Sequence, residues 1–253
     1  MTRITFSVGS LGSVHLDGGT VRSPYIEIVG DLEVDGGTFQ GSTVLQAESE
    51  ARIVGDGRFE SLESGDFFLN LASVEIKGTA TFDLFAEVGE RFLGDGTVVF
   101  HQGVVFENLR MAREVEGNVA FTSENWLALG IGWNEKGDAE DVLDIGGEAI
   151  LGGLVEVQLA PEIERVDGLR VELLRAGKIV GNFDSYELPT LGDGLRWVVE
   201  RGPHSLAIVV AVPEVSPLAF MIVALSVAFS CHGWISRRRR WHAMFGMKGM
   251  KHA

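Results

Sequence analysis

Val14-His-Leu-Asp-Gly-Gly-Thr-Val and Leu32-Glu-Val-Asp-Gly-Gly-Thr-Phe are two copies of one pattern, offset by eighteen residues. In each, apolar and polar residues alternate as in a strand with one buried face, and Asp-Gly-Gly supplies a turn before the next β-former. Taking the second glycine of each copy as a marker, comparable turns follow at Gly57, Gly78, Gly96 and Gly117, so that from Gly19 the steps are 18, 20, 21, 18 and 21. A period near twenty built from short β-runs is the signature of a β-solenoid, whose coils bury their inward faces only by stacking. Hairpins of an antiparallel sandwich also produce Asp-Gly turns, and the quasi-regular coil length is what favours the solenoid over that alternative.

The apolar residues around the markers give the expected interior. It comprises Ile26, Ile28, Leu32, Val34, Val44, Leu45, Ile53, Phe59, Phe67, Leu69, Val74, Ile76, Phe82, Phe85, Phe92, Val98, Phe100, Val104, Phe106, Leu109, Val119 and Phe121. Asp, Glu, Thr and Lys alternate with these and are expected outside. Residues 82–92 have periodic apolar positions, but the bracketing Gly78 and Gly89 and the β-formers within suit a strand, and no helix is expected before the C-terminal segment.

The more polar stretch from 112 to 140 holds Trp126 and Trp133 and ends the repeats, which assigns residues 1–140 to the solenoid. From 141 to 211 alternating strands resume between Gly, Pro and Asp turns, as in Val142-Leu-Asp-Ile-Gly-Gly, Gly181-Asn-Phe and Gly194-Leu-Arg-Trp. These form a β-rich closing module, with Phe183, Leu188, Leu191 and Trp197 as its expected core.

Residues 212–253 differ in kind. Val212-Pro213-Glu214-Val215 leads into a run without formal charge from Ser216 to Ile235, and then come Arg237, Arg238, Arg239 and Arg240. The nineteen residues from Pro217 would span roughly 28 Å as a helix, close to the hydrocarbon thickness of a bilayer, so one C-terminal transmembrane helix is expected. Each Arg at a bilayer centre costs about 2.5–3.5 kcal/mol, which keeps the Arg cluster in the cytoplasm and places residues 1–214 outside.

The 253-residue chain has a formal charge of −15. Residues 1–214 hold all thirty-six Asp and Glu against fifteen Lys and Arg, and the six remaining basic residues follow Glu214. So acidic a surface repels phosphate backbones and argues against nucleic acid as a partner. The single cysteine, Cys231, lies inside the apolar run and excludes a disulfide framework. Met1 to Ser10 carries one basic residue and no apolar run of secretory-signal length, so the export signal and further coils are expected upstream of this start.

Catalysis needs convergent groups, and the sequence offers few. His15, His101 and His204 are far apart and follow no metal-ligand spacing. No nucleophile elbow, phosphate loop or dinucleotide fingerprint occurs, and the Gly-Asp-Gly triplets at 55–57, 94–96 and 192–194 are expected turns. Glu135, Asp138, Glu140, Asp141 and Asp144 form one acidic cluster, but its spacing is not that of an EF-hand loop, nor are tandem calcium β-roll repeats present. No metal, no cofactor and no enzymatic activity are therefore expected.

The order Pro213-Glu214, apolar span, Arg237 to Arg240 resembles the PEP-CTERM sorting signal of bacterial exported proteins, with Val215 where that family usually has a second proline. The closing strands resemble the β-module of autotransporter passenger-like and PEP-CTERM β-proteins. The resemblance implies an exosortase-type sorting enzyme and the membrane as partners, and Pro213 and Glu214 as the sorting motif. The expectation is thus an all-β chain, a parallel β-helix or β-solenoid with a closing module and one C-terminal transmembrane helix. It would act in the cell envelope as a non-enzymatic structural or adhesion protein of the extracellular matrix, with extracellular polysaccharide as a candidate partner. The alternative is a β-helix lyase or hydrolase acting on glycans, but a lyase for uronates would call for a basic groove in this acidic region.

Overall fold

The computed structural model describes residues 5–9, 12–46, 50–106, 114–132 and 142–213. Met1–Ala211 form one unit; of the second, Val212–Ala253, only Val212 and Pro213 are described. The expected transmembrane helix, Trp133 and Leu109 lie outside the described residues, and among those described no helix is long and apolar enough to cross a membrane.

The fold is all-β. In chain order the strands are β1 (Thr5–Val8), β2 (Ser13–Leu16), β3 (Thr20–Ile28), β4 (Asp31–Val34), β5 (Gly37–Leu45), β6 (Ala51–Ile53), β7 (Asp56–Glu60), β8 (Phe67–Asn70), β9 (Val74–Ile76), β10 (Thr79–Asp83), β11 (Phe85–Val88) and β12 (Phe92–Leu93). They continue as β13 (Thr97–Phe100), β14 (Val104–Phe106), β15 (Glu114–Val115), β16 (Asn118–Phe121), β17 (Trp126–Ile131), β18 (Leu143–Leu151), β19 (Leu154–Leu159), β20 (Arg170–Gly181), β21 (Ser185–Glu187), β22 (Arg196–Arg201) and β23 (Ser205–Ala211).

Parallel pairing sorts them into three faces of a solenoid, the regular part of which has about five turns. The first face stacks β2, β4, β6, β9, β12, β15 and the start of β18. The second stacks the first half of β3 and of β5 with β7, β10, β13, β16 and the end of β18. The third stacks β1, the second halves of β3 and β5, β8, β11, β14, β17, β19 and β21.

Strand alternation turns one apolar side of every face inward, and the second face supplies the axis of the core. Phe39, Phe59, Phe82, Phe100 and Phe121 occupy equivalent positions on successive rungs. Their rings stack at centroid distances of 5.4, 5.0, 5.3 and 5.9 Å with interplanar angles of 19° or less. Phe68, Phe92 and Phe106 from the other faces lean against this column. Aromatic pairs of this kind add about 0.5–1.5 kcal/mol each beyond the area they bury.

The corner between the first and second faces explains the glycine period. Gly36 and Gly37 have φ of 104° and 109°, a region that side chains with a Cβ rarely adopt. At later corners the constraint is close approach: a Cβ on Gly96 would stand 2.5 Å from the Gly78 carbonyl oxygen, and one on Gly78 would overlap that of Gly55. The expected markers Gly37 and Gly57 are in register, but the next step is not: Gly57 pairs with the inward Ala80, and it is Gly55 that underlies Gly78. The turn through 61–66 lengthens that coil, so successive core rings Phe59 and Phe82 are 23 residues apart.

Three residues expected inside face outward. Phe67, Leu69 and Phe85 are only partly buried, and Phe68, Asn70, Ala86 and Val88 fill the interior instead. The cause is strand parity: Glu87 must face water, and Phe85 shares its side of β11. Asn70 is tolerated inside because its Nδ2 donates to the Glu90 carbonyl and its Oδ1 accepts from the Ala72 amide, both at 3.2 Å. Val44 is buried as expected but on the outer side, in register with Glu27 and Leu69.

Parallel pairing persists through β21, so the change of grammar falls within the 141–211 segment. There β23 pairs antiparallel with both β20 and β22 and covers the last rung. Val171, Leu174, Leu206, Ile208 and Val210 fill this end. Of its expected core, Phe183 is buried, Leu188 and Trp197 pack on the core from its margin, and Leu191 is partly exposed.

Candidate binding surface

The outer sides of the three faces differ in chemistry. On the first, His15 Nδ1 stands 3.1 Å from Glu33 Oε1, and Glu75 lies 3.3 Å from Arg52 and 3.1 Å from Lys77. On the second, Arg58 bridges Glu60 at 2.8 Å and Asp83 at 2.5 Å, while Gln40 Nε2 donates to Glu60 at 2.9 Å. These ion pairs are solvated, which leaves each with about 0–1 kcal/mol and makes them a surface finish rather than a site.

The third face carries a continuous apolar strip. Phe67 and Phe85 are direct register partners on β8 and β11. One rung on, the Ala86 amide donates to the Gly103 carbonyl, which sets Gly103 level with Phe85, and Trp126 follows on β17 opposite Leu154 of β19. Gly103 is the device that joins the aromatic residues. A Cβ there would lie 3.0 Å from both the Phe85 and the Trp126 rings, so both lean over the gap and meet with centroids 6.5 Å apart. Phe67, Phe85, Trp126 and Leu154 each remain partly exposed. Beside them runs a second outward column, Leu69, Glu87, Val105, Ala128, Glu156 and Glu187, again in register.

Among the described residues, those singled out from the sequence, His15, His101, His204 and Asp144, form no common cluster. His101 directly follows β13, its amide donating to the Phe82 carbonyl, and His204 Nδ1 lies 2.7 Å from the carbonyl oxygen of Gly177 in β20. Asp144 is exposed on β18 between Glu114 and Arg175, whereas Glu135, Asp138, Glu140 and Asp141 lie outside the described residues. Among the described residues no three His, Cys, Asp or Glu side chains stand close enough to share a metal ion. Of the Gly-Asp-Gly triplets expected as turns, that at 94–96 separates β12 from β13 and that at 192–194 precedes β22, whereas Asp56 and Gly57 of the triplet at 55–57 already belong to β7. Pro213 is exposed two residues after β23; Glu214, Arg237, Arg238, Arg239, Arg240 and Cys231 lie outside the described residues.

One carboxylate is shifted by its surroundings. Partial desolvation pushes Asp66 upward, but hydrogen bonds from the Glu63 and Leu62 amides and the Ser42 hydroxyl outweigh this and hold it below the ordinary aspartate value. A carboxylate held ionised in this way caps the 61–66 loop and is a poor proton donor.

The outward strip escaped the sequence reading because Phe67 and Phe85 were expected in the core. The available signal was parity: Phe85 and Glu87, or Trp126 and Gly130, must share a side. No protein-family model matches this chain, and no curated protein matches it.

Proposed function

We propose that this chain is a non-enzymatic, exported bacterial surface protein, structural or adhesive in role, sorted through its C-terminal segment. The observation that carries the reading is the three-part order in the sequence, Pro213-Glu214, apolar span, Arg237 to Arg240. A solenoid with ladder-paired strands and charged outer faces suits such a role, because it presents a long surface without needing a catalytic cleft. Pro213 follows closely on the last strand and is exposed, as a motif read by a processing enzyme needs to be.

The test is protease shaving of intact cells that express the chain, followed by detection of residues 1–211. Digestion without lysis is expected, and Glu214→Ala should alter the processed form or its surface yield. Protection of the whole domain until lysis would overturn the reading. Glycan cleavage by the purified chain, abolished by substituting one carboxylate, would replace it with the lyase or hydrolase alternative.

A further inference from the structure

We propose that the strip formed by Phe67, Phe85, Trp126 and Leu154 binds a neutral polysaccharide chain laid along the solenoid axis. This deepens the adhesive reading above, on which its biological sense rests, by naming the partner's chemistry and its contact surface.

The geometry of the strip restricts what can dock. It runs across the strands, from β8 to β19, and every strand beneath it is paired on both edges. An extended peptide therefore finds no free backbone groups to pair with on this face, and the usual route to strand addition is closed. A partner must bind by stacking on the rings and by hydrogen bonds to side chains.

Charge narrows the choice further. Glu87, Glu156 and Glu187 occupy the column beside the rings, and ionised carboxylates only accept hydrogen bonds. The partner must supply donors and an apolar face together, which a pyranose ring does with its hydroxyl groups and its C–H surface. A chain charge of −15 repels polyanionic glycans, and it equally disfavours a second copy of this protein on the strip. With rungs about 4.8 Å apart, Phe67 and Phe85 stand one rung apart and Phe85 and Trp126 two, with Gly103 on the rung between, so the strip extends along the axis over several rungs, as a chain of sugar units does. Gly103 adds a joint platform, since Phe85 and Trp126 meet over it and offer one wide aromatic surface in place of two narrow ones.

The test uses the full chain purified in detergent, with soluble neutral glucan and mannan, polygalacturonate and polylysine as probes. Affinity electrophoresis and tryptophan fluorescence are the readouts. Binding to glucan or mannan is expected, with a change in fluorescence, and Trp126→Ala or Phe85→Ala should weaken it at least tenfold. Gly103→Ala, which drives a methyl between the two rings, should weaken it too. Circular dichroism and melting temperature identify any variant that fails to fold, and Phe67→Ala serves as a second, more peripheral probe. Failure of both neutral glycans to bind would overturn the proposal, as would binding that is unchanged in Trp126→Ala and Phe85→Ala. Preferential capture of polygalacturonate or polylysine through these residues would overturn it as well. The outcome is independent of location: a chain found on the cell surface that binds no neutral glycan rejects the strip alone.

Discussion

Asp66 shows how one side chain ties a loop to the stack. Its carboxylate accepts from the Leu62 and Glu63 amides at 2.7 Å each and from the Ser42 hydroxyl at 2.9 Å, joining the 61–66 turn to the preceding coil. Because the folded state holds its pKa below that of the unfolded chain, its stabilisation is present above the unfolded value of about 3.9 and fades as pH falls through the lower folded value. Asp66→Asn should therefore lower the melting temperature at pH 7, with the gap to wild type closing below about pH 4. A gap that stays constant down to pH 2 would show that Asp66 caps nothing. At this scale the sequence was least legible. In Phe67-Phe68-Leu69-Asn70 either parity puts an apolar residue inside, and the choice is made by neighbouring rungs, Thr43 and Leu45 on one side and Ala86 and Val88 on the other.

At the scale of the elements, the phenylalanine column and the glycine corner make the period. The glycine period was legible, and Phe59, Phe82, Phe100 and Phe121 were expected inside, but the column they form was not read and Phe39 at its head was missed. One step of the register was not legible: the 61–66 turn adds residues that no pattern announces, so Gly57, which stacks on Gly37, is followed by Ala80, and the next marker, Gly78, stacks on Gly55. Phe82 contacts four other rings and is fully buried, so Phe82→Ala should cost about 3–5 kcal/mol in urea unfolding. Phe67→Ala, on the outer side of the neighbouring β8, should cost no more than about 1 kcal/mol. Equal losses would contradict the assigned parity. Gly96→Ala forces a methyl against the Gly78 carbonyl and should cost about 1–3 kcal/mol, although alanine is otherwise the better packed residue.

The unit formed by Met1–Ala211 is a stack whose C-terminal end is closed by antiparallel strands. Strand β22 leaves the outermost edge to Arg196, Glu200 and Arg201, with Arg170 paired to Glu200 at 3.2 Å, and charge on an edge discourages further pairing. Removing residues 196–211 should expose the β20 edge and produce concentration-dependent association in sedimentation measurements, whereas the intact chain should show none through this end. Fold class was legible at this scale from period and turn chemistry alone, and closure was visible only as a run of generic strands. The proposed function rests on the C-terminal order in the sequence, and the proposed partner on the aromatic strip of the third face. The direct test of that function is mass spectrometry of the mature protein from the surface fraction of the organism that encodes it. The account predicts a chain that retains the solenoid and ends near Pro213–Glu214, without Arg237 to Arg240; a chain intact through Ala253 and confined to the cytoplasm would contradict it.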